Sequence, residues 1–196
     1  LVNQVARLLP EGIKLKNKSG YDYRITTGIR GGSLSSSPNL VTKALRKMEL
    51  IGHTASGKFI PKNYLYGSVS QREALLQGLL DTDGYASPGS STIEYSTISP
   101  QLAEGVTFIV QSLGGTVTWS TRRPTYTYNG EKRQGQLCYR LTLALPNAVQ
   151  PFRLSRKRKN YRLRTKYFPS RAIQEISFVG RKPAQCIKVE AEDGLY

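Results

Sequence analysis

Two segments of this chain, about one hundred residues apart, run through the same order of elements, and that repetition constrains the fold more than any single motif. Residues 1–62 and 102–161 each begin with an apolar helical stretch, LVNQVARLL in one and LAEGVTFIV in the other. Each continues into two strand-like runs, YRITT answering YRLTL, and each closes in a basic loop, GKFIPKNYL against LSRKRKNYRL. The pattern predicts an α+β chain built as a pseudo-repeat. A further helix, residues 70–84, and a strand lie just upstream of the second copy. By the same symmetry the first copy expects such a helix about twenty residues before Leu1, so residue 1 is not expected to be the natural start of the functional unit.

Residues 70–84, SQREALLQGLLDTDG, read as a helix ending in two carboxylates. Ser70 followed by Glu73 forms a capping-box pattern at its start. Leu75, Leu76, Leu79 and Leu80 repeat at helical spacing and make one apolar face. Gly78 lies within that face, and a glycine inside a helix suggests close backbone approach to a neighbour. Asp81 and Asp83 sit at the C-terminal end, which already carries partial negative charge. A compensating positive charge is therefore expected, with a divalent cation the obvious candidate.

The remaining elements follow from periodicity. Residues 13–16 and 21–27 read as strands, 31–38 as a Gly/Ser-rich loop, and 39–50 as a helix with Leu40, Ala44, Leu45 and Met48 inward. Residues 92–97 alternate as a strand, and 100–113 form a helix stopped by Gly114-Gly115. Residues 116–121 and 136–145 read as a long antiparallel pair whose connection carries the turn signal Asn129-Gly130. Residues 153–166 hold eight Lys/Arg in fourteen positions and are partly helical. Short strands are expected at 173–179 and 186–190.

Charge narrows the partner. Across 196 residues, 29 Lys+Arg against 13 Asp+Glu give a net charge of +16, which points to a polyanion. Nucleic acid fits best. A membrane surface is the rival, but no basic amphipathic helix with an aromatic face stands out, and no apolar run reaches bilayer length. Ribosome-like RNA binding is a second rival. Cys138 and Cys186 fall in apolar strand-like runs and read as small buried hydrophobes in a reducing compartment. The single histidine, His53, reads as a loop residue and rules out chemistry that needs a histidine pair.

The nonapeptide at 76–84, LQGLLDTDG, resembles the signature of the LAGLIDADG homing endonucleases, matching six of nine positions with Gln77, Leu80 and Thr82 as variants. Its context, KFIPKNYLYGSVSQREALLQGLLDTDG, is similar to the second motif of intein-borne members. The resemblance covers roughly residues 1–168. Residues 171–196, ending QCIKVEAEDGLY, are similar to the strands leading into the C-terminal splicing motif of inteins. The resemblance implies an αββαββα pseudo-repeat with antiparallel saddle-shaped sheets and helices on one face, plus strands of a Hedgehog/intein-type splicing domain. It divides the chain into the end of a first repeat (1–66), a second repeat (67–169) and the beginning of a splicing segment (170–196).

The resemblance also implies the site. Asp83 is the expected metal ligand and catalytic acid, with the backbone carbonyl of Thr82 beside it and Mg²⁺ or Mn²⁺ as the cofactor. Gly78, Leu79 and Asp81 are expected to pack the helix pair, Asp81 in a structural role. Lys58 and Lys157 are the expected catalytic lysines, with Arg156 the alternative to Lys157 if the register shifts by one. Thr97 is a weaker candidate for positioning water.

DNA recognition calls for a basic two-stranded ribbon that enters the major groove. Alternation sends Val117, Trp119, Tyr139, Leu141 and Leu143 toward the helices, and Thr118, Ser120, Arg140 and Thr142 toward DNA. Arg122, Arg123, Lys132 and Arg133 extend that surface, Arg24, Thr26 and Arg30 supply it in the first repeat, and Arg156, Arg158 and Lys159 add positive charge. The expected function is site-specific double-strand cleavage of DNA, across the minor groove, at a long asymmetric target. The expected setting is the cytoplasm of a prokaryotic or phage-type host, on the nucleoid and not a membrane. A missing segment or second chain is expected to supply the first motif helix and the N-terminal splicing half. The alternatives are a catalytically degenerate or maturase-like binding module, and an intein piece whose main role is splicing.

Overall fold

The protein is described here by a computed structural model covering residues 2–28 and 39–189. Arg30 and the loop 31–38 lie outside the described residues. In chain order the elements are α1 (Val2–Leu8), β1 (Lys14–Ser19), β2 (Asp22–Thr26), α2 (Leu40–Lys47), α3 (Lys62–Leu65), α4 (Val69–Asp83) and β3 (Gly84–Tyr85). They continue with β4 (Ile93–Thr97), α5 (Pro100–Ser112), β5 (Thr116–Arg122), β6 (Thr125–Tyr128), β7 (Glu131–Gln134), β8 (Cys138–Ala144) and α6 (Ser155–Arg158).

Helix α4 begins two residues earlier than its sequence suggests. The stretch SVSQREA holds two overlapping Ser-x-x-Gln/Glu pairs, and the first one caps the helix. Ser68 Oγ accepts from Gln71 N at 3.3 Å, and Gln71 Oε1 accepts from Ser68 N at 2.9 Å. The earlier start adds helical backbone bonds, including Arg72 N to Ser68 O at 3.0 Å. It also releases Glu73, whose carboxylate accepts from Gln150 N at 3.2 Å. Helix α5 starts as a Ser-Pro pair should: Pro100 fills the first turn and Ser99 Oγ accepts from Leu102 N at 3.1 Å.

The main sheet has strand order β3-β4-β8-β5, and every pairing is antiparallel. Its helix-facing rows are Ile93–Leu143–Val117 and Tyr95–Leu141–Trp119. Leu76 and Leu80 of α4, and Val106, Ile109 and Val110 of α5, pack onto these rows with Phe152. Burying a side chain of this kind stabilises the fold by about 1.5–3 kcal/mol. Leu75 and Leu79 are half-buried at the edge of the same cluster, so the leucine face expected for α4 is present. Gly105 lets Ile60 reach α5, since a Cβ there would stand 3.1 Å from Ile60 Cδ1. The inward row expected for β5 frays at its end: Trp119 lies edge-on to Tyr139 yet is 40% exposed.

Between β5 and β8 the chain projects as a separate hairpin, β6–β7. Asn129 (φ 50°) and Gly130 (φ 81°) form its two-residue turn with both φ angles positive, the geometry whose twist matches the flanking strands. A second isolated hairpin, β1–β2, belongs to the N-terminal region.

Several expectations fail. Of the four residues expected inward at α2, Leu40 and Ala44 are exposed and Leu45 and Met48 are half-buried. Gly78 has nothing within 4 Å of where a Cβ would sit, so no close approach occurs there among the described residues. Residues 169–189 contain no helix or strand, so the strand expected at 173–179 is not formed, nor is the described part, 186–189, of the one expected at 186–190. Ile173, Ile176 and Phe178 are 80–93% exposed there, and among the described residues no strand lies beside that run to pair with it. Cys186 is exposed as well, and Cys138 is half-buried.

Candidate active site and DNA-facing surface

The two carboxylates that end α4 have different environments. Asp81 is 3% exposed, and its oxygens accept from the backbone N–H groups of Arg153 and Leu154 at 3.2 Å. It therefore fastens the loop that leads into α6. Gln77 reinforces the same junction: Nε2 donates to Gln150 O at 2.8 Å, and Oε1 accepts from Arg153 Nε at 2.6 Å. Asp83 is exposed and makes no ion pair or hydrogen bond among the described residues. It lines a cavity of about 340 Å³ together with Lys58, Tyr95, Ser96, Thr97 and Cys138.

One positive charge at the end of α4 comes from within the chain. Lys157 Nζ donates to Leu80 O at 2.8 Å, Gly84 O at 2.6 Å and Thr82 O at 3.4 Å. The ammonium thus caps carbonyls that the helix end leaves open. Burial, then the neighbouring Arg156, pushes the Lys157 pKa below its ordinary value, while the charges of Asp81 and Asp83 oppose that shift. Lys58 and Lys157, paired in the sequence reading, are held differently. Lys58 is exposed at the cavity beside Asp83, and the protons of Lys157 are directed at the helix end.

Lys58 is held in place through its backbone. Ser99 Oγ donates to Lys58 O at 2.5 Å, tying the loop before α3 to the first turn of α5. Thr97 Oγ1 accepts from Ser99 N at 3.1 Å, which leaves its own hydroxyl proton available. Tyr95, in the helix-facing row of β4, also lines the cavity, and its pKa is pushed up to about 12 by burial and then by the charge of Asp83. The sequence carried no signal for the Ser99–Lys58 contact, whose partners lie 41 residues apart.

The donor set suits a hard cation. Mg²⁺ takes one or two carboxylates and fills its other positions with water and phosphate oxygens. Asp83 offers one unengaged carboxylate, and the Thr82 carbonyl retains capacity beside its long contact with Lys157. Among the described residues no cluster of three acidic, histidine or cysteine side chains exists, so this chain would contribute part of a coordination sphere.

The other face of the main sheet is open and polar. Its rows are Tyr85–Glu94–Thr142–Thr118, Ser96–Arg140–Ser120 and Cys138–Arg122. Thr118, Ser120, Arg140 and Thr142 thus share the face assigned to them from alternation. Arg140 is not free there: its guanidinium meets Glu94 Oε2 at 2.9 Å. In the projecting hairpin, Tyr126 pairs with Arg133 and Thr127 with Lys132, so Lys132 and Arg133 lie on opposite faces. Arg133 contacts Glu131 at 3.3 Å and stacks 4.9 Å over Tyr128. Arg122, Arg123, Arg156, Arg158 and Lys159 are exposed. In the first hairpin Arg24 stands opposite Lys16 and Thr26 opposite Lys14 on one face.

Comparison with known proteins agrees with this architecture. The sequence model of the family described as "Homing endonuclease" matches residues 59–164, more than half of the chain. The chain is 31% identical over 167 residues to a replicative DNA helicase DnaB of Mycobacterium intracellulare, covering 83% of this chain and 27% of that protein. It is 33% identical over 152 residues to the ATP-dependent DNA helicase Hel308 of Thermococcus kodakarensis, covering 67% of this chain and 13% of that protein. It is 35% identical over 94 residues to the homothallic switching endonuclease of Saccharomyces cerevisiae, covering 44% of this chain and 16% of that protein. The chain therefore spans about a quarter or less of the length of these relatives. Among the described residues no helix is long and apolar enough to cross a membrane. With its α+β architecture of antiparallel sheets and its family match at residues 59–164, this chain belongs to the homing endonuclease family.

Proposed function

We propose that this chain is the LAGLIDADG-type endonuclease portion of an intein, cutting both strands of a long asymmetric DNA site across the minor groove with Mg²⁺ or Mn²⁺. The observation that carries the reading is the division of labour at the end of α4. Asp81 is consumed by backbone N–H groups, whereas Asp83 lines an open cavity with Lys58 and Thr97.

In this reading Asp83 and the Thr82 carbonyl hold the cation. When bound, the cation supplies an activated water and neutralises charge at the phosphorus and the leaving oxygen. Lys58 meets a phosphate oxygen as negative charge develops on it. The Thr97 hydroxyl orients the attacking water, whose oxygen bonds to phosphorus as the bond to the leaving sugar oxygen breaks. Lys157 acts on the same site by fixing the end of α4. The open sheet face and the projecting hairpin lie in the major groove, and Arg156, Arg158 and Lys159 contact backbone phosphates. A second motif helix, from another segment or another chain, brings the second carboxylate. Such a chain works on DNA in the cytoplasm, and splicing of its host is a task for the flanking halves of the intein.

A DNA-binding module without cleavage is the second reading, favoured by the presence of one unengaged carboxylate at the cavity. Two assays separate them. Both readings expect binding to random duplex DNA to weaken steeply with salt, with a slope of about −5 in log K against log salt for some six phosphate contacts. A flat dependence would count against both. Only the endonuclease reading expects rare members of a supercoiled plasmid library with random inserts to be recovered as linear DNA after incubation in Mg²⁺, sharing an insert motif, and none to be recovered in a chelator.

A further inference from the structure

Glu94 is the one acidic residue in the four strands of the main sheet, and it stands on the open face of a protein with net charge +16. An acid there repels phosphate, so its presence calls for a local reason. Its Oε2 lies 2.9 Å from an Arg140 guanidinium nitrogen on the adjacent strand. The two are not directly opposite: Glu94 pairs with Thr142, and Arg140 pairs with Ser96 and Ser120. The contact is diagonal, so it pulls the arginine along the strand into one direction. Arg140 Nε is buried and has no partner in the described structure, which leaves Glu94 as the group that orients the guanidinium. With side-chain exposures of 40% for Arg140 and 39% for Glu94, the pair is partly open to solvent on this face. Ser96 and Ser120 are short, so Arg140 is the tallest group in its row.

We propose that Glu94 is a positioning residue for base recognition: it presents Arg140 in a fixed orientation to the major-groove edge of one guanine. A guanidinium fork matches the O6 and N7 acceptors of guanine, and no other base offers that pair. Holding the fork in advance removes rotamer freedom that a free arginine would lose on binding. Glu94 thus exchanges some non-specific phosphate attraction for discrimination at one position. The inference rests on the reading that the open sheet face binds DNA in the major groove.

The test is selection of duplexes from a pool with a randomised 30-base-pair segment (a probe length of about three helical turns), using the intact protein. Wild type is compared with Glu94→Ala, Glu94→Gln and Arg140→Ala, with thermal melting as the folding control. Arg140→Ala should erase a guanine preference at one position. Glu94→Ala should weaken the preference at that same position about tenfold, the scale of one bidentate base contact. Its affinity for the unselected pool should rise, a change of sign that a merely structural defect would not produce. Glu94→Gln, which keeps the shape, should fall between. If Glu94→Ala leaves the profile unchanged, alters a different position, or weakens all sequences equally, the inference is overturned. If the wild-type protein enriches no sequence at all, the DNA-reading assignment of the sheet fails first and the inference falls with it.

Discussion

The described N-terminal residues, 2–28 and 39–57, and the region from 59 to 152 reach different states of burial. In the second, α4 and α5 lie on the main sheet and bury Leu76, Leu80, Ile93, Val106, Ile109, Leu141, Leu143 and Phe152 to below 1% exposure. In the first, neither α1 nor α2 has a buried residue, and among the described residues there Ile13, at 9% exposure, is the one buried hydrophobic side chain. The difference lies in what each helix faces. Helix α5 packs on a four-stranded sheet already covered by α4, while α1 and α2 accompany a two-stranded hairpin, which buries little on its own. Shared sequence pattern therefore does not guarantee equal stability: a core forms where a second helix and enough strands are supplied.

The comparison can be broken in several ways. The largest effect should come from Phe152→Ala, which removes a fully buried ring and should cost about 3–5 kcal/mol by chemical denaturation. Leu40→Ala in α2, at 53% exposure, should cost less than about 0.5 kcal/mol. Equal costs at the two positions would contradict the division into a packed and an open region.

A smaller effect concerns pH. The Tyr95 pKa is raised to about 12 in the folded protein from an ordinary value near 10. The folded state therefore holds this proton more tightly. Its stabilising contribution is complete below pH 10 and is lost as pH rises from about 10 to 12, by about 2–3 kcal/mol at most. The denaturation midpoint of Tyr95→Phe should accordingly fall less over that window than that of the wild type. Smaller still, Lys157→Met removes the donor to three carbonyls at the end of α4 and should cost about 1–2 kcal/mol. No loss of stability would mean that the ammonium does not cap the helix.

Much of the packed region was legible because its signals are local. Alternation sorted the two faces of β5 and β8, Asn129-Gly130 marked the hairpin turn, and helical spacing placed the leucines of α4. What escaped depended on choices between equal local signals or on distant partners. Two overlapping capping pairs were possible at the start of α4, and the choice between Ser68 and Ser70 was made by the extra helical bonds. A positive charge was expected at the end of α4 with a divalent cation as the candidate, but the cap that Lys157 makes on the carbonyls there comes from 73–77 residues away, beyond the reach of local pattern. The apolar run at 173–179 reads as a strand, yet a strand needs a neighbour, and local pattern says nothing about whether one exists. Asp81 and Asp83 show both cases at once. The resemblance gave Asp81 a structural role and Asp83 a metal-binding one, and the bonds from Arg153 and Leu154 show what Asp81 holds in place.

That separation is the central claim, and plasmid cleavage tests it most directly. Wild type, Asp83→Asn and Asp81→Asn of the intact protein should be assayed on supercoiled plasmid substrate in Mg²⁺, with thermal melting alongside. Asp83→Asn should lose about a hundredfold or more in cleavage rate while melting at the wild-type temperature. Asp81→Asn should lower stability by about 1–3 kcal/mol by weakening the acceptor for Arg153 and Leu154. Undiminished cleavage by Asp83→Asn, with a stability loss there and none at Asp81, would contradict the account.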